Sequence, residues 1–338
     1  MKIILLADLH VEKGIRTNSI LNLLDEVEKY YLENNYDYVF MLGDIFDKAS
    51  SVKNECFIPL FMKLLNMKEK GIRFLFILGN HDIYNADNSS LVEVFAPIGK
   101  VIKKNTHSSE LEEFKDKDWW FVPYTKNAED IPVSGQYLFS HLSIADFDLG
   151  NAYHATEKFA IKTEVFNGFD HVFVGHFHKY QTFKNITYIG SSVQINRTDE
   201  NVDKGWVSLD TDNGSFEFHV FNNYPKFLTI SSSDLKRINE IDFSNKLVFV
   251  NIDKKISDIS KLKYVLFSKG AVSVNPVFIG EDKEIALENK VEFDGNIQKI
   301  AEEYIKNLNL EEIKGFDLEG INKTTVLKIF EKIVDECK

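Results

Sequence analysis

Leu78-Gly79-Asn80-His81-Asp82 is the stretch from which the fold of this chain is read. The apolar β-formers Phe74 to Leu78 stop abruptly at a glycine. Three polar residues follow, each able to bind metal or move a proton. The construction recurs. Ile3 to Ala7 runs into Asp8-Leu9-His10, Tyr38 to Leu42 into Gly43-Asp44, and His171 to Val174 into Gly175-His176-Phe177-His178. Tyr137 to Ser140 running into His141 is a weaker instance. Each segment predicts a buried strand whose C-terminal end delivers Asp, Asn or His to one place.

Taken singly, each polar residue has a plain structural explanation: Asp8 as a helix cap, Asn80 and Asp82 as turn residues, His141 as a satisfied core histidine. Seven of them (Asp8, His10, Asp44, Asn80, His141, His176, His178), all at predicted strand ends, point instead to a two-metal phosphoesterase site. Carboxylate, imidazole and amide oxygen without thiolate suit Mn, Fe or Zn better than Cu or Mg. Asp8-x-His10 puts two side chains on one side of an extended segment. His176-x-His178 does the same and can split between two ions. Asp44 is the natural bridge, since a carboxylate has two oxygens for cations roughly 3.5–4 Å apart. Asn80 adds a neutral oxygen, which keeps the summed ligand charge low enough for a phosphate anion to join.

Outward from these ends, Ile20, Leu23, Leu24, Val27 and Tyr31 predict a helix over 18–33 with one buried face. Phe57, Leu60, Phe61, Leu64 and Leu65 predict another, stopped by Gly71. The order β-α-β-α-β favours parallel strands. After Val101 short strands follow one another: 119–122, 137–140, 171–174, 187–189, 205–210 and 216–221, the last two joined by the turn residues Asp212-Asn213-Gly214. The stretch from Ala145 to Phe169 reads as loop with a poorly defined helix. Two packed sheets with helices on the outer faces result, an α/β architecture. A boundary falls near Tyr224-Pro225. Beyond it the pattern is strand 227–230, helix near 235–241, strand 247–252, helix 259–267 and strand 271–276. The acidic, glycine-bounded stretch 280–295 reads as a linker. Two apolar stripes, Ile297 to Leu308 and Val326 to Val334, close the chain as a helix pair.

With 44% hydrophobic and 27% charged residues, the chain has ample core for a globular protein. No apolar run approaches the roughly 18–20 residues of a membrane span. The apolar segment after Met1-Lys2 is too short and wrongly flanked for a signal peptide. Cys56 and Cys337 match no metal or redox spacing, so a reducing, intracellular compartment is expected. The net charge of -12 argues against a generally basic nucleic-acid coat. It leaves nucleic acid open, because bound cations and a local basic patch can carry phosphate contacts.

Asp-x-His, Gly-Asp, Gly-Asn-His-Asp, a lone His and Gly-His-x-His, in this order, resemble the calcineurin-like metallophosphoesterases. Within them the chain looks like an SbcD-type DNA repair nuclease subunit, bacterial or phage, related to the nuclease of the MRN complex. Gly43-Asp44-Ile45-Phe46-Asp47, Gly175-His176-Phe177-His178-Lys179, Tyr188-Ile189-Gly190-Ser191 with Lys204-Gly205, and the αβ pattern after Pro225 carry that narrower likeness. It implies a four-layer αββα sandwich over 1–224, a small αβ capping domain at 225–279, and a helix pair at 296–338 beyond the linker. It implies one metal on Asp8, His10, Asp44 and His178 and another on Asp44, Asn80, His141 and His176, with Mn2+ ahead of Mg2+. It makes His81 the catalytic residue beside the scissile phosphate, with Asp82 orienting its ring. Some relatives have histidine where this chain has Asp47, which puts that residue's contribution in doubt. The implied activity is double-strand 3′–5′ exonuclease and single-strand endonuclease, in DNA repair and recombination. The implied partners are DNA and an SbcC-type coiled-coil ABC ATPase, with a homodimer in the complex, in the cytoplasm of the cell or phage host. Ile300, Tyr304, Phe330 and Ile333 would anchor the ATPase.

Lys179, Tyr180, Arg197 and His154 are candidate substrate contacts, although solvated surface roles are commoner for such residues. His107, His171 and His219 read as surface or structural, and Trp119-Trp120 as core. The competing readings are a phosphatase or small-molecule phosphodiesterase of the same superfamily, and a non-catalytic adaptor. The adaptor predicts gaps among the ligands, and there are none.

Overall fold

The computed structural model describes residues 1–12, 14–48, 51–85, 88–150, 153–154, 160–252 and 259–279, without the side chains of 149–159. Met1–Asn251 and Ile256–Pro276 form one compact unit. Of the second unit, Ile252–Lys255 and Val277–Lys338, only Ile252 and Val277–Ile279 are described. The expected linker and helix pair, with Ile300, Tyr304, Phe330 and Ile333, lie outside the described residues.

The first half alternates as its apolar pattern requires. It runs β1 (Lys2–Leu6), α1 (Ile15–Asn34), β2 (Tyr38–Leu42), α2 (Asn54–Glu69), β3 (Phe74–Ile77) and β4 (Lys100–Ile102). Strands β1 to β4 pair in parallel. The unbroken apolar runs of β2 and β3 are buried on both faces, as central parallel strands must be when helices cover one face and a second sheet the other. Then come β5 (Thr106–His107), β6 (Trp119–Val122), β7 (Gly135–His141), β8 (Asp148–Gly150), β9 (Tyr153–His154), β10 (Phe169–Gly175), β11 (Gln181–Phe183) and β12 (Ile186–Tyr188). The hairpin β13 (Gly205–Asp210) and β14 (Ser215–Val220) returns to the first sheet, where β13 lies antiparallel to β1.

Two six-stranded sheets result, ordered β14-β13-β1-β2-β3-β4 and β11-β12-β10-β7-β6-β5. Side chains alternate between their faces. Ile3, Leu5, Phe40, Leu42 and Ile77 meet Trp119, Phe121, Phe139 and Phe173 between the sheets. Ile4, Leu6, Val39, Met41 and Phe76 pack outward on α1 and α2. On the far face of the second sheet, Leu138, Val172 and Val174 are covered by Leu142, Ile144, Phe147 and Phe166. Among the described residues that cover is loop and a 3-10 turn, Thr163–Phe166, where the sequence reading placed a poorly defined helix.

A three-stranded sheet follows: β15 (Lys226–Ser231), β16 (Lys246–Ile252) and β17 (Ala271–Phe278), with α3 (Ile259–Ser268) before β17. The helix expected near 235–241 is only a 3-10 turn, Asp234–Arg237. The Asp234 carboxylate bonds back to the Ser231 amide and hydroxyl, each at 2.7 Å, and local side-chain bonds of this kind compete with a helix start. No described helix is long and apolar enough to cross a membrane.

Candidate metal centre

Parallel strands end together, so the loops after β1, β2, β3, β7 and β10 meet at one edge. The first two run side by side beyond the sheet. The Asp8 amide donates to the Gly43 carbonyl at 3.1 Å, and the His10 amide to the Asp44 carbonyl at 2.9 Å. Asp8, His10, Asp44 and His176 all have positive φ (51°, 43°, 52° and 108°). Left-handed backbone at four non-glycine positions is strained, and it aims these side chains inward. Two glycines leave the room. A Cβ at Gly79 would collide with the Asp44 carboxylate, and one at Gly43 with the His141 ring.

Among the described residues there are three groups whose donor atoms lie within 4.8 Å of one another: Asp8, His10 and His178; His10, Asp44 and His81; Asp44, His141 and His176. Asp44 belongs to two of them. Its Oδ2 is 3.2 Å from His141 Nε2 and 3.6 Å from His10 Nε2. Asn80 Oδ1 lies 3.1 Å from His141 Nε2 and 2.9 Å from His176 Nδ1. All seven residues expected at the strand ends, and His81, therefore share one cluster.

The cluster fits cations. Both ring nitrogens of His10 are buried and lack a hydrogen-bond partner among the described residues. Orphaned buried nitrogens are costly unless something else occupies their lone pairs. Burial pushes His10 down to about 3, and burial with the nearby His141 takes His176 to about 3 as well. Both rings are then neutral at neutral pH and able to act as metal ligands. Burial opposes charge on Asp44, yet His141 and His10 hold its carboxyl below the usual carboxylate range. Burial disfavours charge on His141 too, but Asp44 and Asp8 push it up to about 9. Its Nδ1 donates to the Leu42 carbonyl at 2.8 Å, so Nε2 is the atom turned to the cluster. A divalent ion held there would take the place of that proton.

The orienting role expected for Asp82 is not what the structure shows. Asp82 is fully buried and accepts the amides of Ile45 (3.0 Å), Phe46 (3.2 Å) and Gly79 (3.0 Å). Its carboxylate staples two metal-site loops and does not contact the His81 ring. His81 Nδ1 instead donates to the Asp47 carbonyl at 2.7 Å. The Asp47 side chain bonds Arg16 at 3.2 Å and faces His10 Nδ1 at 3.7 Å.

Three of the candidate substrate contacts have partners within the protein. Lys179 is tied to Asp148 at 2.6 Å, and Tyr180 stacks on Phe218 with ring centroids 4.2 Å apart. Arg197 bonds Asn251 at 3.2 Å and lies 4.7 Å over the Phe249 ring, which ties it to the small sheet. For His154 only the backbone is described, paired with Asp148. His219 stacks on Trp206, His171 bonds Thr187, and His107 bonds Ser109, all structural positions. Trp119 is buried between the sheets and Trp120 packs on His107.

Sequence reasoning missed Tyr124, whose ring centroid lies 5.8 Å from that of His176 and 6.2 Å from that of His141. It follows the strand Trp119–Val122, so the same strand-end rule finds it. It also missed Asp199, 3.8 Å from His178 Nδ1, for which no local signal exists.

The model of the calcineurin-like phosphoesterase family matches residues 1–180, the part that holds every candidate ligand above. The chain belongs to the calcineurin-like phosphoesterase family. It is a metal-dependent hydrolase. Over 328 residues it is 24% identical to exonuclease subunit 1 of enterobacteria phage T4, spanning 90% of this chain and 92% of that one. Among solved structures it is similar to an archaeal phosphodiesterase (11% identity, 65% of this chain, all of that one, TM-score 0.35). A dimetal phosphatase from Danio rerio is another (11% identity, 62% and 91%, TM-score 0.36).

Proposed function

We propose that this phosphoesterase is a Mn2+-dependent DNA phosphodiesterase, a double-strand 3′–5′ exonuclease and single-strand endonuclease that works as the nuclease subunit of an SbcCD-like complex. One observation carries the reading. Similarity to the phage exonuclease subunit runs through nine-tenths of this chain, far past the phosphoesterase segment 1–180.

Asp8, His10, Asp44 and His178 would hold one ion, and Asp44, Asn80, His141 and His176 the other. Bound there, the ions supply Lewis acidity and a hydroxide nucleophile at neutral pH. The protein's own residues do the rest. Asp44 Oδ1 accepts the His81 amide at 2.8 Å and so fixes that residue against the cluster. With Nδ1 committed to the Asp47 carbonyl, His81 has only Nε2 with which to hold the travelling proton and give it to the leaving oxygen. Asp82, bonded to three amides, holds the loops.

The test is cleavage of 3′-labelled duplex DNA in Mn2+, set against hydrolysis of a nitrophenyl phosphate ester. DNA cleavage supports the nuclease reading. Ester hydrolysis without DNA cleavage replaces it with the phosphatase reading. For the partner, truncation after Gly295 should leave a metal-binding nuclease that no longer co-purifies with the ABC ATPase. Undiminished co-purification places the docking surface elsewhere.

A further inference from the structure

Behind the ligand residue His178 lies a buried ion pair that the reaction does not use. Lys204 has no exposed side-chain surface. Its Nζ donates to Asp199 Oδ1 at 2.7 Å and to the His178 carbonyl oxygen at 2.5 Å. The Ser191 amide donates to the same carbonyl at 3.0 Å. The other carboxylate oxygen, Oδ2, accepts the amides of Ile195 (2.8 Å) and Asn196 (3.2 Å) and faces His178 Nδ1 at 3.8 Å. One ammonium–carboxylate unit thus bonds the His178 backbone and sets a carboxylate oxygen beside its ring.

Burying such a pair is costly, and capping the short turn Arg197–Asp199 does not call for a lysine, because the Asn196 side chain already accepts the Thr198 amide. A carboxylate facing the far nitrogen of a ligand imidazole has a specific use. It favours the tautomer with the proton on that nitrogen, leaving Nε2 as the lone-pair donor.

The unit is also wired to the small sheet. Gln194 Nε2 donates to the Asp199 carbonyl at 2.8 Å, while Gln194 Oε1 accepts the Phe227 amide of β15 at 2.7 Å. Glu200, next to Asp199, accepts the Thr229 amide at 2.9 Å. Every second β15 amide from Phe227 to Thr229 therefore ends on the loop that carries Asp199.

We propose that Asp199, clamped by Lys204 and tied to β15 through Gln194, is the positioning residue for His178, so that the seating of the three-stranded sheet sets the affinity of one of the two ions. This rests on the two-ion reading of the site.

Calorimetric Mn2+ titration of the full chain tests it, with Asp199→Asn and Gln194→Ala beside the wild type. The asparagine keeps an oxygen for the amides of Ile195 and Asn196 but removes the charge facing the ring. Gln194→Ala leaves the ammonium–carboxylate pair in place and cuts the link from the Asp199 carbonyl to the Phe227 amide, with the Glu200–Thr229 bond kept, so it serves if Asp199→Asn does not fold. Expected are two ions in the wild type, and one of them weakened about 10–100-fold in Asp199→Asn, the usual scale for losing a ligand's hydrogen-bonding neighbour. Gln194→Ala should weaken the same ion by a smaller factor. At two equivalents of Mn2+, the spin-coupled resonance of the pair should fade in Asp199→Asn in favour of a mononuclear spectrum. Wild-type affinity for both ions in both variants overturns the proposal. Equal weakening of both ions, in step with a lowered melting temperature, also overturns it by making the pair purely structural. Fewer than two ions in the wild type would overturn the two-ion reading itself.

Discussion

His81 Nδ1 lies 2.7 Å from the backbone carbonyl oxygen of Asp47, and this contact, not the adjacent Asp82, orients the exposed imidazole. The carbonyl can only accept, so the Nδ1 proton is held and the ring's remaining nitrogen is available for chemistry. His81→Ala should retain two Mn2+ ions and lose cleavage by a factor of about 10²–10⁴. Parallel calorimetry and single-turnover cleavage decide it. Loss of an ion would make His81 a ligand.

Asp44 reaches both ligand groups, with Oδ2 between His141 and His10. Asp44→Ala should therefore abolish paired binding and bring cleavage to background. Two ions bound with near-normal affinity would refute the bridge.

Removing the Asp82 carboxylate orphans three buried amides. At roughly 1–3 kcal/mol for each unsatisfied group, Asp82→Ala should lower unfolding free energy by about 3 kcal/mol or more. Urea melts measure it, with His81→Ala as a control that should stay near wild type. A change below about 1 kcal/mol would mean that water satisfies those amides.

Arg197 joins the loop that carries Asp199 to β16 through Asn251 and Phe249. Arg197→Ala should speed amide exchange in β15 and β16 while leaving the salt dependence of DNA binding unchanged. A shallower salt slope would restore Arg197 as a phosphate contact.

His171 supplies a pH test away from the metals. Burial pushes it down to about 4, against Phe173 and Phe216. Its folded pKa lies below the unfolded value of about 6.5, so the folded state binds fewer protons between them. Its contribution is present above pH 6.5 and is lost as pH falls toward 4. His171→Phe removes the titration, so its stability should fall less than the wild type's between pH 7 and pH 5. Equal losses in urea melts would place the acid sensitivity elsewhere.

Local sequence determined the strands and where they end. Unbroken runs such as Ile3–Leu6 and Tyr38–Leu42 are legible because a strand buried on both faces tolerates only apolar residues. Polar residues placed directly after them can only emerge at the sheet edge, which is why the seven candidate ligands and His81 could be named from the chain alone. Tertiary structure decided the direction and partner of each side chain. Asp82 looks like the neighbour of His81 in sequence, yet the loop turns it onto amides 36 and 37 residues away. Lys179 and Arg197 carry charge suited to phosphate, but Asp148 and the small sheet engage them. Asp199 shows no local signal at all, because its meaning lies in Lys204 and His178 brought against it by folding. Apolar periodicity reports burial, which each residue expresses locally. Hydrogen-bond and ion-pair partners depend on which distant segments come within a few ångströms, and only the packed chain specifies that.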